Sequence, residues 1–251
     1  MTPSGPWTLL STRIDTLDPE DAIDRLVDQA YAGERGYCCV GNVHQTMLAH
    51  DDPAFAEVVN GAALVITDSR ILHRSVARLH ALPMGSTMRG AELMVELCRR
   101  CAQTGVPVAL VGGHDDLQLA ELSRRLLAEC PGLDIRYMIA PPFGPIGVAQ
   151  EQEMIAAIGS SGARLVFVGL GCPKQERWMA RHTRDIPAML IVVGAAFDFN
   201  SGRTRKSPRW VHAAGLEWAW RLVAEPRRLW RRHAFGSTRF LLAYWRELRR
   251  A

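Results

Sequence analysis

Two hydrophobic periods alternate along this chain. Apolar runs at residues 37–40, 63–67, 108–111, 135–140, 165–168 and 188–193 are short and continuous, which predicts buried strands. Between them lie stretches with apolar residues three and four positions apart, which predict helices at 19–32, 45–59, 70–82, 89–103, 117–130, 150–158 and 175–182. In the first of these, Ile23, Leu26, Val27 and Ala30 form the stripe and Asp18 is placed to cap it. Residues 141–145, Pro-Pro-Phe-Gly-Pro, read as a rigid loop. The sequence contains no internal repeat and no low-complexity segment.

Strand and helix alternate almost throughout. That predicts an α/β fold: an open, mostly parallel, Rossmann-like sheet with helices on both faces, and a C-terminal helical appendage. The expected division is 1–205 for the α/β unit and 206–251 for the appendage. In such sheets ligands bind outside the carboxyl ends of the strands. Asn42 and His44 follow the first predicted strand, Asp68 the second, Gly112 and Gly113 the third, and Phe143 the fourth. The stretch from Gly169 to Gln175 follows the fifth, and Asp198 the last.

The fifth of these ends is the richest. Leu165–Val168 runs into Gly169-Leu170-Gly171-Cys172-Pro173-Lys174-Gln175-Glu176-Arg177-Trp178. Glycines allow a sharp turn, and Pro173 suits the first turn of a helix. A helix N-terminus carries free N–H groups and partial positive charge, which suits a diphosphate. A plain strand-to-helix turn has the same glycines, and the polar cluster Lys174, Gln175, Glu176 and Arg177 is what adds a ligand to that reading. Asp68 has two readings as well: a general base, or a cap for the segment that starts at Ser69. Gly112 and Gly113 either let a phosphate or ribose approach or merely form a turn. Asp198 either binds ribose or nucleobase or pairs with Arg203 or Arg205.

Composition narrows the classes. The chain has 251 residues, a net charge of +4 and six cysteines, too few for a disulfide framework at this length. Cys98 and Cys101 are a lone pair inside a predicted helix and read as small buried residues rather than zinc ligands. No apolar run approaches the roughly 18 residues of a membrane span. The opening MTPSGPWTLLSTRID lacks a basic start followed by an apolar core, so no signal peptide is expected. Arginines far outnumber the two acids, Glu225 and Glu247, after position 220. They interleave with Leu229, Trp230, Phe240, Leu241, Leu242, Tyr244 and Trp245 over two predicted helical pieces, 226–230 and 235–248, preceded by another at 208–223. A basic amphipathic stretch with tryptophan reads as an element for an anionic membrane surface, or as a tail packed on the main unit.

The run GLGCPKQERW resembles the signature of the WecG/TagA/CpsF family of bacterial glycosyltransferases. Residues 193–199, Ser207-Pro208-Arg209-Trp210, Gly215-Leu216-Glu217-Trp218 and Glu225-Pro226-Arg227-Arg228-Leu229-Trp230 resemble the same family in the same order. The resemblance implies a membrane-associated inverting glycosyltransferase of cell-surface or exopolysaccharide assembly. Its donor would be a UDP-sugar of the N-acetylmannosamine, mannosaminuronic acid, glucuronic acid or glucose type. Its acceptor would be a polyprenyl-diphosphate-linked saccharide. The place would be the cytoplasmic face of the membrane. The resemblance makes Asp68 the base, and Gln175, by its own position, is a candidate to hydrogen-bond donor or acceptor near the reacting carbon. Asn42 and His44 fall on the acceptor side, and Gly112, Gly113, Phe143, Gly169, Gly171, Pro173 and Asp198 on the nucleotide side. Arg221, Arg228 and Arg231 match arginines of the family's appended segment, thought to close over the site and grip a diphosphate. Glu92 stands where the family usually has aspartate, and Arg70, His73 and Arg74 replace a mostly apolar stretch. No Asp-x-Asp motif occurs, and the resemblance implies no metal and no cofactor. It allows for self-association, which no residue here specifies. Two other classes fit the sheet or the charge: a dinucleotide-dependent oxidoreductase and an arginine-tail nucleic-acid binder. The first lacks a Gly-x-Gly-x-x-Gly after an early strand. The second lacks a groove-reading charge pattern, so no nucleic-acid partner is expected.

Overall fold

The computed structural model describes residues 5–142, 144, 146–205, 208, 211, 220 and 226–250, with the backbone alone at 226–235 and 237. The chain opens with an antiparallel hairpin, β1 (Pro6–Leu9) and β2 (Thr12–Asp15), and then α1 (Pro19–Tyr31). Next come β3 (Gly36–Gly41), α2 (Val43–Asp51), α3 (Pro53–Asn60), β4 (Leu64–Thr67), α4 (Arg70–Leu79) and α5 (Gly90–Thr104). Then follow β5 (Val108–Gly112), α6 (Asp116–Glu129), β6 (Ile135–Ile139), α7 (Val148–Ser160), β7 (Leu165–Gly169) and α8 (Lys174–His182). The chain continues through β8 (Met189–Val192) and α9 (Ala196–Asn200), and α10 (Pro226–Leu248) lies near its end.

Strands β3 to β8 form one sheet in the order β4-β3-β8-β7-β5-β6, and every neighbouring pair is parallel. Successive strand residues point to opposite faces. Leu165 and Phe167 of β7 enter one core with Leu110, Ile191 and the inner sides of α1, α5, α6 and α9. Val166 and Val168 enter the other with Val111, Leu190 and residues of α3, α7 and α8. Both faces are covered, which is why the strands are continuous apolar runs rather than alternating ones. A third cluster joins Leu9 and Ile14 of the hairpin to Met47, Leu72, Val76 and Phe240 of α10.

The predicted α/β class and parallel sheet hold, with local corrections. The expected helix 45–59 is two helices, because Asp52 Oδ1 accepts from the Ala54 and Phe55 amides at 3.0 and 3.3 Å and Pro53 begins a new helix. The helix expected over 70–82 ends at Leu79. Asp18 makes no side-chain capping bond to α1, and its Oδ1 accepts instead from Ser86 Oγ at 3.3 Å. The pieces 226–230 and 235–248 belong to one continuous helix. The stretch expected to be helical over 208–223 lies mostly outside the described residues. The hairpin has no counterpart in the sequence reading. Its strands are four residues each, too short for a periodicity to register, and Asp15 secures it by accepting from the Val65 amide on the sheet's edge strand at 2.7 Å.

At the carboxyl ends of β5 and β7 the backbones nearly touch. Gly112 pairs with Gly169 in register, and a Cβ on Gly112 would lie 2.5 Å from the Gly169 carbonyl oxygen. Its φ of +131° is also one that residues with a side chain rarely adopt. Gly112→Ala therefore meets two penalties, overpacking against backbone and a strained φ, each about 1–3 kcal/mol. Urea unfolding should show a combined loss of at least about 2 kcal/mol. A smaller loss would mean that the strand ends part without cost.

Candidate active site

A cavity of about 890 Å³ opens at the carboxyl edge of the sheet. That is at the large end of the range for small-molecule sites, roughly 300–1,000 Å³. The loop after each of the six parallel strands contributes to its wall. Asn42 comes from β3, Asp68 from β4, Gly113 and His114 from β5, and Pro141 and Pro142 from β6. Leu170, Gly171, Lys174 and Gln175 come after β7, and Val193 to Asp198 after β8.

Asp68 sits just beyond β4. Ser69, not Asp68, caps α4, accepting from the Leu72 amide at 3.4 Å. The Ser69 amide donates to Thr67 Oγ1 at 3.0 Å, and Thr67 Oγ1 donates to the Gly41 carbonyl at 2.9 Å. This chain of bonds ties the end of β4 to the end of β3. Asp68 is left in the cavity wall, beside the first residue of α5: a Cβ on Gly90 would lie 3.5 Å from Asp68 Oδ2. Of the two readings for Asp68, the cap is the one the geometry removes.

Arg89 also lines the cavity and forms an ion pair with Glu92 one turn into α5. It is 9% exposed, which is rare for an arginine. Sequence reading placed it only at the start of a helix. The signal was there: a cation at a helix N-terminus opposes the helix dipole and calls for another reason to be present. Glu92, where the family usually has aspartate, is the residue that holds Arg89 in this ion pair.

Gly113, with φ of +92°, Gly169 and Gly171, with φ of +82°, line the cavity. Gln175 is almost fully buried in its wall. Its Oε1 accepts from the Gly171 amide at 3.1 Å, so it braces the turn it follows. Asp198 accepts from Gln118 Nε2 at 2.8 Å, and Gln118 Oε1 accepts from the His114 amide at 2.6 Å. Arg203 reaches Asp115 at 3.7 Å rather than Asp198. Asn42 lines the cavity while its Oδ1 caps α2, accepting from the His44 and Gln45 amides at 3.1 and 3.2 Å.

Three expected site residues are not in the wall. Gly112 packs against Gly169, so its missing side chain serves the sheet. His44 lies in the first turn of α2, to which the Asn42 cap directs it. Pro173 is the N-cap residue of α8, joined to Cys172 by a cis peptide bond. Phe143 and Arg221 lie outside the described residues, and so do the side chains of Arg228 and Arg231. Lys174, Arg177, Arg181 and Glu151 complete the charged rim. Arg177 is held by Asp52 at 2.7 Å and lies over the Phe55 ring, and Arg181 faces Glu151 at 3.7 Å.

Among the described residues, no three His, Cys, Asp or Glu side chains gather as metal ligands, and no helix is long and apolar enough to cross a membrane. Cys98 and Cys101 are fully enclosed, and burial pushes the Cys101 thiol up to about 12.

The profile of the Glycosyl transferase WecG/TagA/CpsF family matches residues 7–251, and the chain belongs to that family. It is a glycosyltransferase of cell-surface polysaccharide biosynthesis. The oxidoreductase and nucleic-acid readings are set aside by that match.

The loop that delivers Arg89 is pinned from below. His73 Nε2 accepts from the Gly85 amide at 3.0 Å, which requires that nitrogen to be unprotonated. Burial lowers the His73 pKa, Arg70 lowers it further, and Asp18 opposes the shift. The folded state then binds fewer protons than the unfolded one, so stability is full above about pH 6.5 and falls as the pH drops below it. His73→Gln keeps an acceptor and cannot titrate. Urea midpoints measured at about pH 7 and about pH 5 should fall less in this variant than in the wild type. Equal falls would show that His73 is not the latch.

Proposed function

We propose that the protein is a membrane-associated inverting glycosyltransferase that moves a sugar from a UDP-sugar to a saccharide carried on a polyprenyl diphosphate. The observation that carries this reading is the meeting of six strand-end loops in one cavity, with Asp68 in its wall and excused from capping. Three inter-strand spacings separate β4 from β7, roughly 14 Å at about 4.8 Å each. A sugar diphosphate lying across the strand ends spans that gap. Its nucleoside is at the Gly113 and Asp198 side, its diphosphate at the Gly169–Gly171 turn, and its sugar toward Asp68.

In this reading the Asp68 carboxylate takes the proton of the acceptor hydroxyl. The hydroxyl oxygen forms its bond to the anomeric carbon from the face opposite the diphosphate. The bond from that carbon to the β-phosphate oxygen breaks, and its electron pair leaves with UDP. Charge on the departing diphosphate meets the positive end of the α8 dipole, Lys174 and Arg89. Arg221, Arg228 and Arg231 in the 206–251 appendage supply further guanidinium forks for phosphate oxygens. Asn42 serves the acceptor side.

Helix α10 supports the membrane part. Phe240 and Tyr244 turn into the core cluster, while Leu241, Leu242 and Trp245 are exposed beside Arg239, Arg246 and Arg249. The Arg249 guanidinium lies 3.5 Å over the Trp245 ring. An apolar strip flanked by arginines suits the inner, anionic face of a membrane. In this reading the enzyme is a peripheral protein on the cytoplasmic side.

A panel of UDP-sugars with a lipid-diphosphate acceptor tests the chemistry. Asp68→Asn should lose about 10²-fold or more in kcat while still binding UDP, and wild-type turnover should survive EDTA. Unchanged turnover in the variant removes the base. Leu241→Glu combined with Trp245→Glu should weaken co-sedimentation with phosphatidylserine vesicles and leave UDP affinity as it was. Equal co-sedimentation would detach α10 from the membrane role.

A further inference from the structure

Behind the cavity wall, and reaching it through Gln175, lies a polar network that the reaction above leaves unused. Gln45 on α2, and Gln175 and Glu176 on α8, are 0%, 3% and 1% exposed. Glu176 Oε1 accepts twice, from Gln45 Nε2 at 2.9 Å and from Gln175 Nε2 at 3.1 Å. Gln175 Oε1 accepts from the Gly171 amide, and the Gln175 backbone amide donates to the Gly171 carbonyl at 3.0 Å.

A side-chain amide has an accepting end and a donating end, and its neighbours decide which way it points. Here both neighbours are one-sided. The Gly171 N–H only donates, and the Glu176 carboxylate only accepts. Turning the Gln175 amide over would set donor against donor and oxygen against oxygen. So the nitrogen is held on the Glu176 side, where one of its two hydrogens is used. The second hydrogen remains on a nitrogen next to Gly194, a cavity-wall residue whose Cβ position lies 3.9 Å from Gln175 Nε2.

Glu176 Oε2 is buried with no partner among the described residues. Oε1 ties α2 to α8 through Gln45, but an unsatisfied buried acceptor weakens a fold, so packing does not account for the full carboxylate. Orientation of Gln175 does.

We propose that Glu176 is a positioning residue, which holds Gln175 as a hydrogen-bond donor to an oxygen of the bound sugar diphosphate. The role rests on the cavity being the site of glycosyl transfer. It predicts that Gln175 and Glu176 act as one unit, which a kcat double-mutant cycle measures.

Gln175→Ala should lose about 10²-fold in kcat, the size of losing one preorganised donor, and Glu176→Leu should lose a comparable factor. The double variant should be no more than about threefold worse than the poorer single one. Glu176→Gln keeps an oxygen for both amides and should retain most of the activity. Losses that multiply, or a dead Glu176→Gln that is folded, overturn the role.

Should Glu176→Leu fail to fold, the exchange Gln175→Glu with Glu176→Gln remains. It restores a donor–acceptor bond between the two positions but offers the substrate a carboxylate. It should fold and be as inactive as Gln175→Ala, and an active exchange variant overturns the donor assignment. Wild-type protein with no turnover on any UDP-sugar overturns the site reading itself and this role with it. Wild-type turnover with multiplying losses overturns the role alone.

Discussion

Parallel strands cannot be joined by tight turns, so each of β3 to β7 needs a crossover before the next strand begins. With all six running one way, six loops gather on one edge and the helices that follow present their N-termini there. Backbone N–H groups and partial positive charge are thereby concentrated on the same side as the loops. The sheet also brings β5 and β7 so close at Gly112 and Gly169 that no side chain fits between them. The turn after β7 and the turn after β5 are neighbours for that reason. The cavity is a consequence of this directionality, before any particular polar residue is considered.

The polar residues at the strand ends then divide their work. Free backbone groups there must be satisfied first, and several side chains do that. Asn42 caps α2 and Ser69 caps α4. Gln118 holds the His114 amide, and Gln175 holds the Gly171 amide. Once these bonds are made, Asp68 stands in the cavity wall with α4 already capped by Ser69, and Arg89 stands there at the start of α5. A side chain that braces a turn is also held still, and Gln175 and Asp198 both face the cavity while bonded behind. Rigid placement of this kind is what preorganised electrostatics requires.

The last helix is built into the first part of the chain. Phe240 shares a cluster with Leu9 and Ile14, and the Leu10 amide donates to the Glu247 carboxylate at 2.9 Å. Arg239 makes a two-pronged contact with Asp51 at 2.7 and 2.9 Å, which lowers the Asp51 pKa. The outward side of the same helix carries Leu241, Leu242 and Trp245. One element thus packs on the hairpin's core cluster with one side and carries exposed apolar side chains on the other.

What the sequence determined by itself was the class of fold, the order of the six sheet strands and most of the helices between them, and the edge where the cavity-lining groups gather. Continuous apolar runs and helical stripes are local, and local pattern reports local structure directly. It also marked Asp68, Gly113, Gly169, Gly171, Gln175 and Asp198 as facing one place. What it left undetermined was which strand-end residue spends itself on a backbone group. Asp68 and Ser69 look equally suited to cap α4, and only the path of the chain shows that Ser69 does it. Gly112 and Gly113 look alike, and only the approach of β7 assigns one to packing and the other to the cavity wall. The buried pairing of Gln45 with Glu176 joins residues 131 positions apart. No period or motif carries such a contact, because it depends on where the sheet sets α2 against α8.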